Sequence, residues 1–498
     1  MTRHRWRYPA LVFALLWALL LTWTIGTPLF AAPDEPGHLY KAYATAHFQT
    51  IGEPIDDALS NIRRYDVPAE MGVPPNIRCF VFLEDVSAGC VEPGTVGAGE
   101  STAAVYPPFW YALVGGGARL VDQATSQRTY RAMAGALCAM LVTAAFVAVR
   151  RSRSRRFAPL LLLGLTPMAL FLSASVNPNG FEVAAFVLLW ALCLHAGHPR
   201  APTARGGLVV GALLAMVLCS RVTSIMWVLA GTVVVVLALG WTGVRPFLNR
   251  RFLVPALGLA ALAELSTVVW TRWAGAEIED PRIATELTTS EVISTTWRNT
   301  PEYLRQMIGV LGWLDTRLPW FVYLLFAIFT AVVGAGVVWS RDRRLIVAAV
   351  AAIGGVIVIP FAINITSAAS AGIIWQGRYT LPLYASLSLL GILGWTAVGD
   401  RRPDLRLGTA VGVVAVVCFA VAEVAAFWQM LRRFSVGAGG KIWLVQPLGW
   451  SPAIAPMLLI ALNACLVGVL SVVLVRAAAV DPGDLFPIGA DPSDPNAR

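Results

Sequence analysis

A chain of 498 residues with 57% apolar residues, 13% charged residues and a mean hydropathy of +0.67 carries too little charge to wet the surface of a soluble globule. Its net charge of +9 sits in short arginine runs between apolar blocks, with no basic face or recognition motif, which argues against nucleic acid as a partner. The blocks have the length that crosses a bilayer, and backbone groups in hydrocarbon must pair within their own segment, so the blocks read as helices.

The first block, 9–31, follows Arg3, Arg5 and Arg7. It is longer than the core of a cleavable signal, and Phe30-Ala31-Ala32 supplies no cleavage site, so it reads as an uncleaved first helix. Further spans are expected at 130–149, 157–175, 180–197, 207–221, 223–241, 252–273, 318–340, 345–365, 380–398, 407–428 and 451–476. The fold class is therefore an all-α polytopic membrane protein of about 12 transmembrane helices (11–13), with 207–241 open to reading as two short spans or one. The chain divides into one membrane domain over 1–480 and a Pro- and Asp-rich tail over 481–498, expected to be disordered and cytoplasmic.

Arginine-rich short loops mark the cytoplasmic side. They are the N-terminus, Arg150 to Arg156, Arg200 to Arg205, Arg245 to Arg251, Arg341 to Arg344 and Arg401 to Arg406, and together they place both termini in the cytoplasm. The apolar stretch 106–121 cannot also cross, because the arginines at 150–156 would then emerge on the wrong side; it reads as a re-entrant or surface helix. Outside lie a first loop at 32–129, expected to fold as a small cap, a second at 274–317, and a short one at 366–379.

The strongest local feature is Pro33-Asp34-Glu35-Pro36-Gly37-His38, where the first helix leaves the membrane. Two adjacent carboxylates at that boundary suit a general base, Asp34, and its helper, Glu35, although Asp34 or Glu35 could equally cap a helix opened by Pro36. His38, one turn on, is expected to hydrogen-bond the Asp34 carboxylate, since two ligands do not make a metal site. A divalent cation is left open. Cys79 and Cys90, alone in the long loop, are expected to form a disulfide, while the other cysteines read as span residues. Glu182, Glu264 and Glu423 fall in the outer halves of spans and suggest the lining of an open cavity, with one or two of them open to a structural role, hydrogen-bonded between helices. Arg378 begins a returning helix and could clamp phosphate, or merely snorkel to headgroups. Tryptophans such as Trp273, Trp297, Trp320 and Trp375 crowd the outer face as an interfacial belt, some with the option of stacking on sugars.

Five motifs resemble the bacterial membrane-protein family known as domain of unknown function 2142. They are Pro33-Asp34-Glu35 with His38; Tyr106-Pro107-Pro108; Thr166-Pro167-Met168 leading to Asn177-Pro178-Asn179; Gly312-Trp313-Leu314-Asp315-Thr316; and Gln376-Gly377-Arg378-Tyr379 with Pro382. That family is similar to the GT-C superfamily of glycosyltransferases that use polyprenyl-phosphate sugars. The resemblance implies a GT-C-like fold, with acidic residues after the first helix bearing catalysis. It adds His38, Tyr106, Asn179, Glu182, Asp315, Gln376, Arg378 and Tyr379 as substrate-binding candidates. Relatives often carry an acidic residue where this chain has Asn177-Pro178-Asn179, a place Glu182 is close enough to fill.

The function implied is sugar transfer from a polyprenyl-phosphate donor to an envelope glycan, lipid or protein, on the extracytoplasmic face of a bacterial plasma membrane. Asp34 and Arg378 are expected to stand apart, separated by a sugar and a phosphate. The alternatives are a flippase or transporter for a lipid-linked glycan, and a non-catalytic assembly partner.

Overall fold

In the computed structural model, residues 7–55, 62–96, 99–122, 126–195, 202–275, 284–401, 405–444 and 449–479 are described. The proposed tail and Arg200 lie outside them. The chain forms α1 (Arg7–Gly26), α2 (Glu35–Ala46), α3 (Phe109–Asp122), α4 (Gln127–Arg150) and α5 (Pro167–Ser173). It continues with α6 (Pro178–His195), α7 (Ala204–Leu218), α8 (Ser224–Val244), α9 (Arg250–Ala274) and α10 (Thr289–Gly309). The last third forms α11 (Trp320–Trp339), α12 (Arg343–Ala371), α13 (Leu381–Arg401), α14 (Leu405–Val436) and α15 (Pro456–Ala479).

Among the described residues, nine helices are long and apolar enough to cross a bilayer: α1, α4, α8, α9 and α11 through α15. A broken span joins a 3-10 helix, Arg155–Gly164, to α5 with a bend of 75°. The break follows from Thr166 and Pro167: the threonine hydroxyl accepts from Ala169 N, and proline opens the new helix. With the broken span counted as one, ten candidate spans stand among the described residues, and the shorter apolar helices α6 and α7 occupy the two remaining segments expected from sequence, so the count is roughly that expected. The 207–241 block is two helices, joined by a turn over residues 219–223. At 15 residues α7 is only about 22 Å long, short of the roughly 30 Å of hydrocarbon.

Two helices form the centre. Residues 178–191 of α6 are buried throughout, and 89% of the apolar window containing α13 is buried, against 17% for α12. A helix apolar all round is buried by protein or by lipid. Around this centre α8, α9, α12 and α15 turn Leu229, Leu257, Val350 and Leu458 outward, an apolar belt that lipid covers. Trp273, Trp297 and Trp320 are likewise exposed, as expected of an interfacial belt, but Trp375 is buried.

The basic connections gather at one end of the bundle. Arg150 lies 4.5 Å from the Tyr8 ring and donates to Ala477 O; Arg153 pairs with Asp400, and Arg401 donates to Trp339 O. At the other end, the first loop folds over the helix ends. It holds α2 packed on α3, a small antiparallel sheet of β1 (Glu53–Pro54), β2 (Arg63–Arg64) and β3 (Glu100–Ser101), and the Cys79–Cys90 disulfide. Its far part is tied to the end of α14, where Ser87 Oγ donates to Phe434 O, and Gly439 N donates to the Asp85 carboxylate. The 106–121 stretch does not cross: α3 has 14 residues and packs beside α2.

The exit of α1 is fastened by one buried ion pair. Arg131, on α4, donates Nε to Glu35 Oε1 at 2.7 Å and Nη2 to Glu35 Oε2 at 2.6 Å. Its Nη1 reaches the carbonyls of Thr24 and Thr27, and Nη2 that of Pro28. Both side chains are fully inaccessible, and the five guanidinium N–H groups meet five acceptors. Removing one partner leaves the other charge buried and unmatched. Glu35→Gln or Arg131→Met should therefore cost on the order of 3–5 kcal/mol. The check is thermal unfolding in detergent, where the double substitution should lose less than the single losses added together. Removing the Cys79–Cys90 bridge, which closes a short loop, should cost roughly 3 kcal/mol in the same measurement.

Candidate functional site

Asp34 occupies the N-cap position of α2 but does not cap it. Its backbone is left-handed, φ 62°, a conformation an aspartate holds only against steric cost, and its side chain makes no hydrogen bond to the helix start. The carboxylate turns away and pairs with Arg378 Nη2 at 2.8 Å. Although protein surrounds it, 47% of the Asp34 side chain is open, whereas Arg378 is 2% open.

Arg378 is positioned by its backbone. Gly377 N donates to Gln306 Oε1, Trp375 N donates to Asn364 Oδ1, and a Cβ at Gly377 would stand 1.9 Å from Tyr303 O, so only glycine fits. The guanidinium itself is largely unengaged: Nε and Nη1 are buried without a hydrogen-bond partner. Arg131, saturated with acceptors, is built to hold the fold. Arg378, by contrast, has one carboxylate partner and two buried nitrogens without a hydrogen-bond partner.

A second arginine completes the cluster. Arg221, in the turn between α7 and α8, bonds to Asn179 Oδ1 and lies 3.5 Å from Glu182 and 4.9 Å from the Tyr379 ring centroid. Glu182 also accepts from Ser224 Oγ at 2.5 Å. Asn177 Nδ2 donates to Pro33 O, and Asn179 N donates to Asn177 Oδ1, so the start of α6 buttresses the Asp34 loop. Tyr106 packs edge-on against His38, with ring centroids 5.5 Å apart, and lies in the field of Arg221, Tyr379 and Asp34. Burial would raise the Asp34 carboxyl, but Arg378, His38 and Arg221 outweigh it and hold the group below its usual range.

The five motifs meet here, since Trp313 Nε1 also donates to Phe30 O at the exit of α1. Asp34, His38, Tyr106, Asn179, Glu182, Gln376, Arg378 and Tyr379 share this end of the bundle. Several expectations need correction. Asp34 and Arg378 touch directly rather than standing apart, the carboxylate pairing with Arg378 Nη2 at 2.8 Å. His38 Nδ1 bonds Tyr111 OH at 2.7 Å, not the Asp34 carboxylate. Asp315 is engaged by Phe82 N and by Arg433, which also binds Phe80 O, so it clamps the cap onto α14. Glu35 is locked to Arg131 and also accepts from Val176 N. Of the three glutamates placed in spans, Glu182 belongs to this cluster, Glu423 is fully buried and bonded between helices to Trp23 Nε1, and Glu264 is half buried on α9.

Among the described residues there is no group of three or more His, Cys, Asp or Glu able to hold a metal ion. The charge neighbours of Asp34 are arginines, a donor set that does not suit a divalent cation. A cavity of about 220 Å³ bordered by Arg156, Pro159, Gly412 and Val475 belongs to the opposite, basic end.

Residues 16–387 match the model of the family described as "Predicted membrane protein (DUF2142)", an interval that holds all five motifs. The chain belongs to the DUF2142 family. No curated protein matches this DUF2142 chain. Among solved structures it is similar to ArnT from Cupriavidus metallidurans bound to undecaprenyl phosphate. The identity is 15%, with coverage of 95% of this chain and 77% of that one and a TM-score of 0.46. Sequence reading of this family member missed Arg221 and Arg131. The available signal for Arg221 was an arginine in a short loop that the positive-inside pattern assigns to the outside.

His38 supplies a pH test. Its burial pushes the imidazole from about 6.5 down to about 3, with Asp34 opposing and Arg221 and Arg378 reinforcing the shift. The folded protein then binds fewer protons than the unfolded chain between those values, so stability falls as pH drops below about 6.5. Unfolding measured from pH 7 to 4 should show His38→Gln less acid-sensitive than the parent, by up to about one proton per unfolding event.

Proposed function

We propose that this DUF2142 protein transfers a sugar from a polyprenyl-phosphate carrier to an acceptor hydroxyl of the cell envelope. The observation that carries the reading is the pairing of a strained, solvent-open carboxylate, Asp34, with a buried guanidinium, Arg378, whose Nε and Nη1 have no partner. The site lies at the end of the bundle opposite the basic connections, and the positive-inside bias supports an extracytoplasmic site in a bacterial plasma membrane. The prenyl chain would stay in hydrocarbon while the phosphate sits at the boundary.

Asp34 takes the proton from the acceptor hydroxyl. The acceptor oxygen forms the new bond to the anomeric carbon, and the bond from that carbon to the phosphate oxygen breaks, its electron pair leaving with the lipid phosphate. Attack opposite the leaving group inverts configuration. Arg378 stabilises the charge that develops on the phosphate. Arg221 positions Tyr379 and Asn179, and Glu35 fixes the loop that carries Asp34.

The contact of base and clamp fits this sequence of events. Before the donor arrives, Asp34 serves as the counterion of Arg378. A bound phosphate takes over that role, weakens the field on Asp34 and restores its affinity for a proton.

Purified protein in detergent, given polyprenyl-phosphate sugars and envelope acceptors, should consume the donor. Asp34→Asn should lower turnover by about 10²–10⁴ while leaving donor binding nearly intact. Arg378→Ala should weaken both binding and turnover. Wild-type turnover by Asp34→Asn at normal expression would falsify the base assignment. Movement of the lipid across a bilayer without consumption of its sugar would replace transfer with flipping.

A further inference from the structure

Arg378 is not alone in having unengaged polar atoms. Trp375 Nε1 and Gln376 Oε1, on the two residues just before Gly377, are buried without a hydrogen-bond partner, and so is Trp227 Nε1 across on α8. Three of these side chains, Trp227, Trp375 and Arg378, are contiguous through Tyr379. Trp227 and Trp375 have ring centroids 6.1 Å apart, Trp375 and Tyr379 5.6 Å, and the Arg378 guanidinium lies 5.3 Å from the Tyr379 ring.

Their backbones are held firmly, since Trp375 N and Gly377 N are both hydrogen-bonded to side chains of neighbouring helices. Trp227 and Trp375 are 0% and 6% exposed. Native proteins rarely leave buried polar groups unpaired, and a run of them on adjacent elements needs a cause. Of the five orphaned atoms, four are donors: two indole N–H groups and two guanidinium nitrogens. A donor-rich, preorganised group matches a ligand dominated by acceptor oxygens.

We propose that Trp227 and Trp375 are donor-binding residues whose indole N–H groups, together with Arg378, hold the phosphate of the lipid-linked substrate. This rests on the reading of the site given above and extends it to two residues outside the charged cluster. Trp227 lies one turn into α8 from Ser224, which bonds Glu182, so the same helix start that orders Arg221 and Glu182 carries the indole. The indoles are positioned by packing and need no reorganisation when the ligand binds.

The test uses the full chain in detergent and the variants Trp227→Phe and Trp375→Phe, which keep an aromatic ring and delete only the N–H. Native mass spectrometry with long-chain polyprenyl phosphate is the binding measurement, and Trp428→Phe, whose indole serves the carbonyl of Ile442, is the control. Each of the two variants should bind the lipid phosphate roughly tenfold more weakly, the effect of one hydrogen bond to a charged group, with Trp428→Phe unchanged. In turnover, the donor KM should rise with kcat nearly constant, the signature of binding shared by ground and transition states. Wild-type affinity in both variants, with a parent that binds the lipid, overturns the indole assignment and leaves the transferase reading standing. Failure of the parent itself to bind polyprenyl phosphate sinks the transferase reading together with this one. Inorganic phosphate competing at equal affinity overturns the assignment to a lipid-linked ligand.

Discussion

The pairing of Glu35 with Arg131 sets the position of everything at the loop end of the bundle. A charged pair without solvent contact is stable only if its remaining donors and acceptors are met, because desolvation otherwise exceeds the Coulombic gain. Here the carbonyls of Thr24, Thr27 and Pro28 at the end of α1 supply that satisfaction, so the pair welds α1, α2 and α4 at one point. The chain between Gly26 and Glu35 has no freedom to move the preceding residue. Asp34 is thereby held in a left-handed conformation and its carboxylate directed away from the helix it would otherwise cap.

The two arginines that face the Asp34–Glu35 dipeptide differ in how fully their guanidinium groups are satisfied. Arg131 has an acceptor for every N–H. Arg378 has one carboxylate and otherwise orphaned nitrogens in a buried setting. Leaving such donors unmatched is unfavourable, and the site tolerates it because Gly377, Gln306 and Asn364 hold the local backbone rigidly. Strain at Asp34 and unsatisfied polarity at Arg378 thus coincide, and both are sustained by packing elsewhere in the bundle.

The short helix α7 contributes in a different way. It ends at Leu218, and the turn at residues 219–223 that follows brings Arg221 into hydrogen-bonding distance of Asn179 near the start of α6. The bent span before α6 has a related effect: the break at Thr166 lets Thr166 Oγ1 reach Met307 O on α10, joining the second large loop to the core. Irregular backbone in the hydrophobic region is tolerated where protein rather than lipid surrounds it, and the break at Gly164–Thr166 is buried, whereas the turn over 219–223 buries Ser220 and Arg221 but exposes Val222 and Thr223.

Hydropathy and arginine placement by themselves determined the helical class, the order of the spans and the exclusion of 106–121 from crossing, because burial of backbone in lipid allows few alternatives. The same patterns placed Asp34 and Arg378 at one end of the bundle, and cysteine placement anticipated the Cys79–Cys90 bridge. They could not tell which charges would meet. Glu35 and Asp34 are neighbours in sequence, yet one is sealed against Arg131 and the other opens toward water. Asp315 belongs to a motif like the others, yet Arg433 and Phe82 engage it in the cap. Arg221 looked like the end of an apolar block, and Trp227 like one more apolar residue in a span. Side-chain partners more than a hundred residues apart depend on how helices rotate and how deep each turn sits, and only the packed bundle settles those angles and depths.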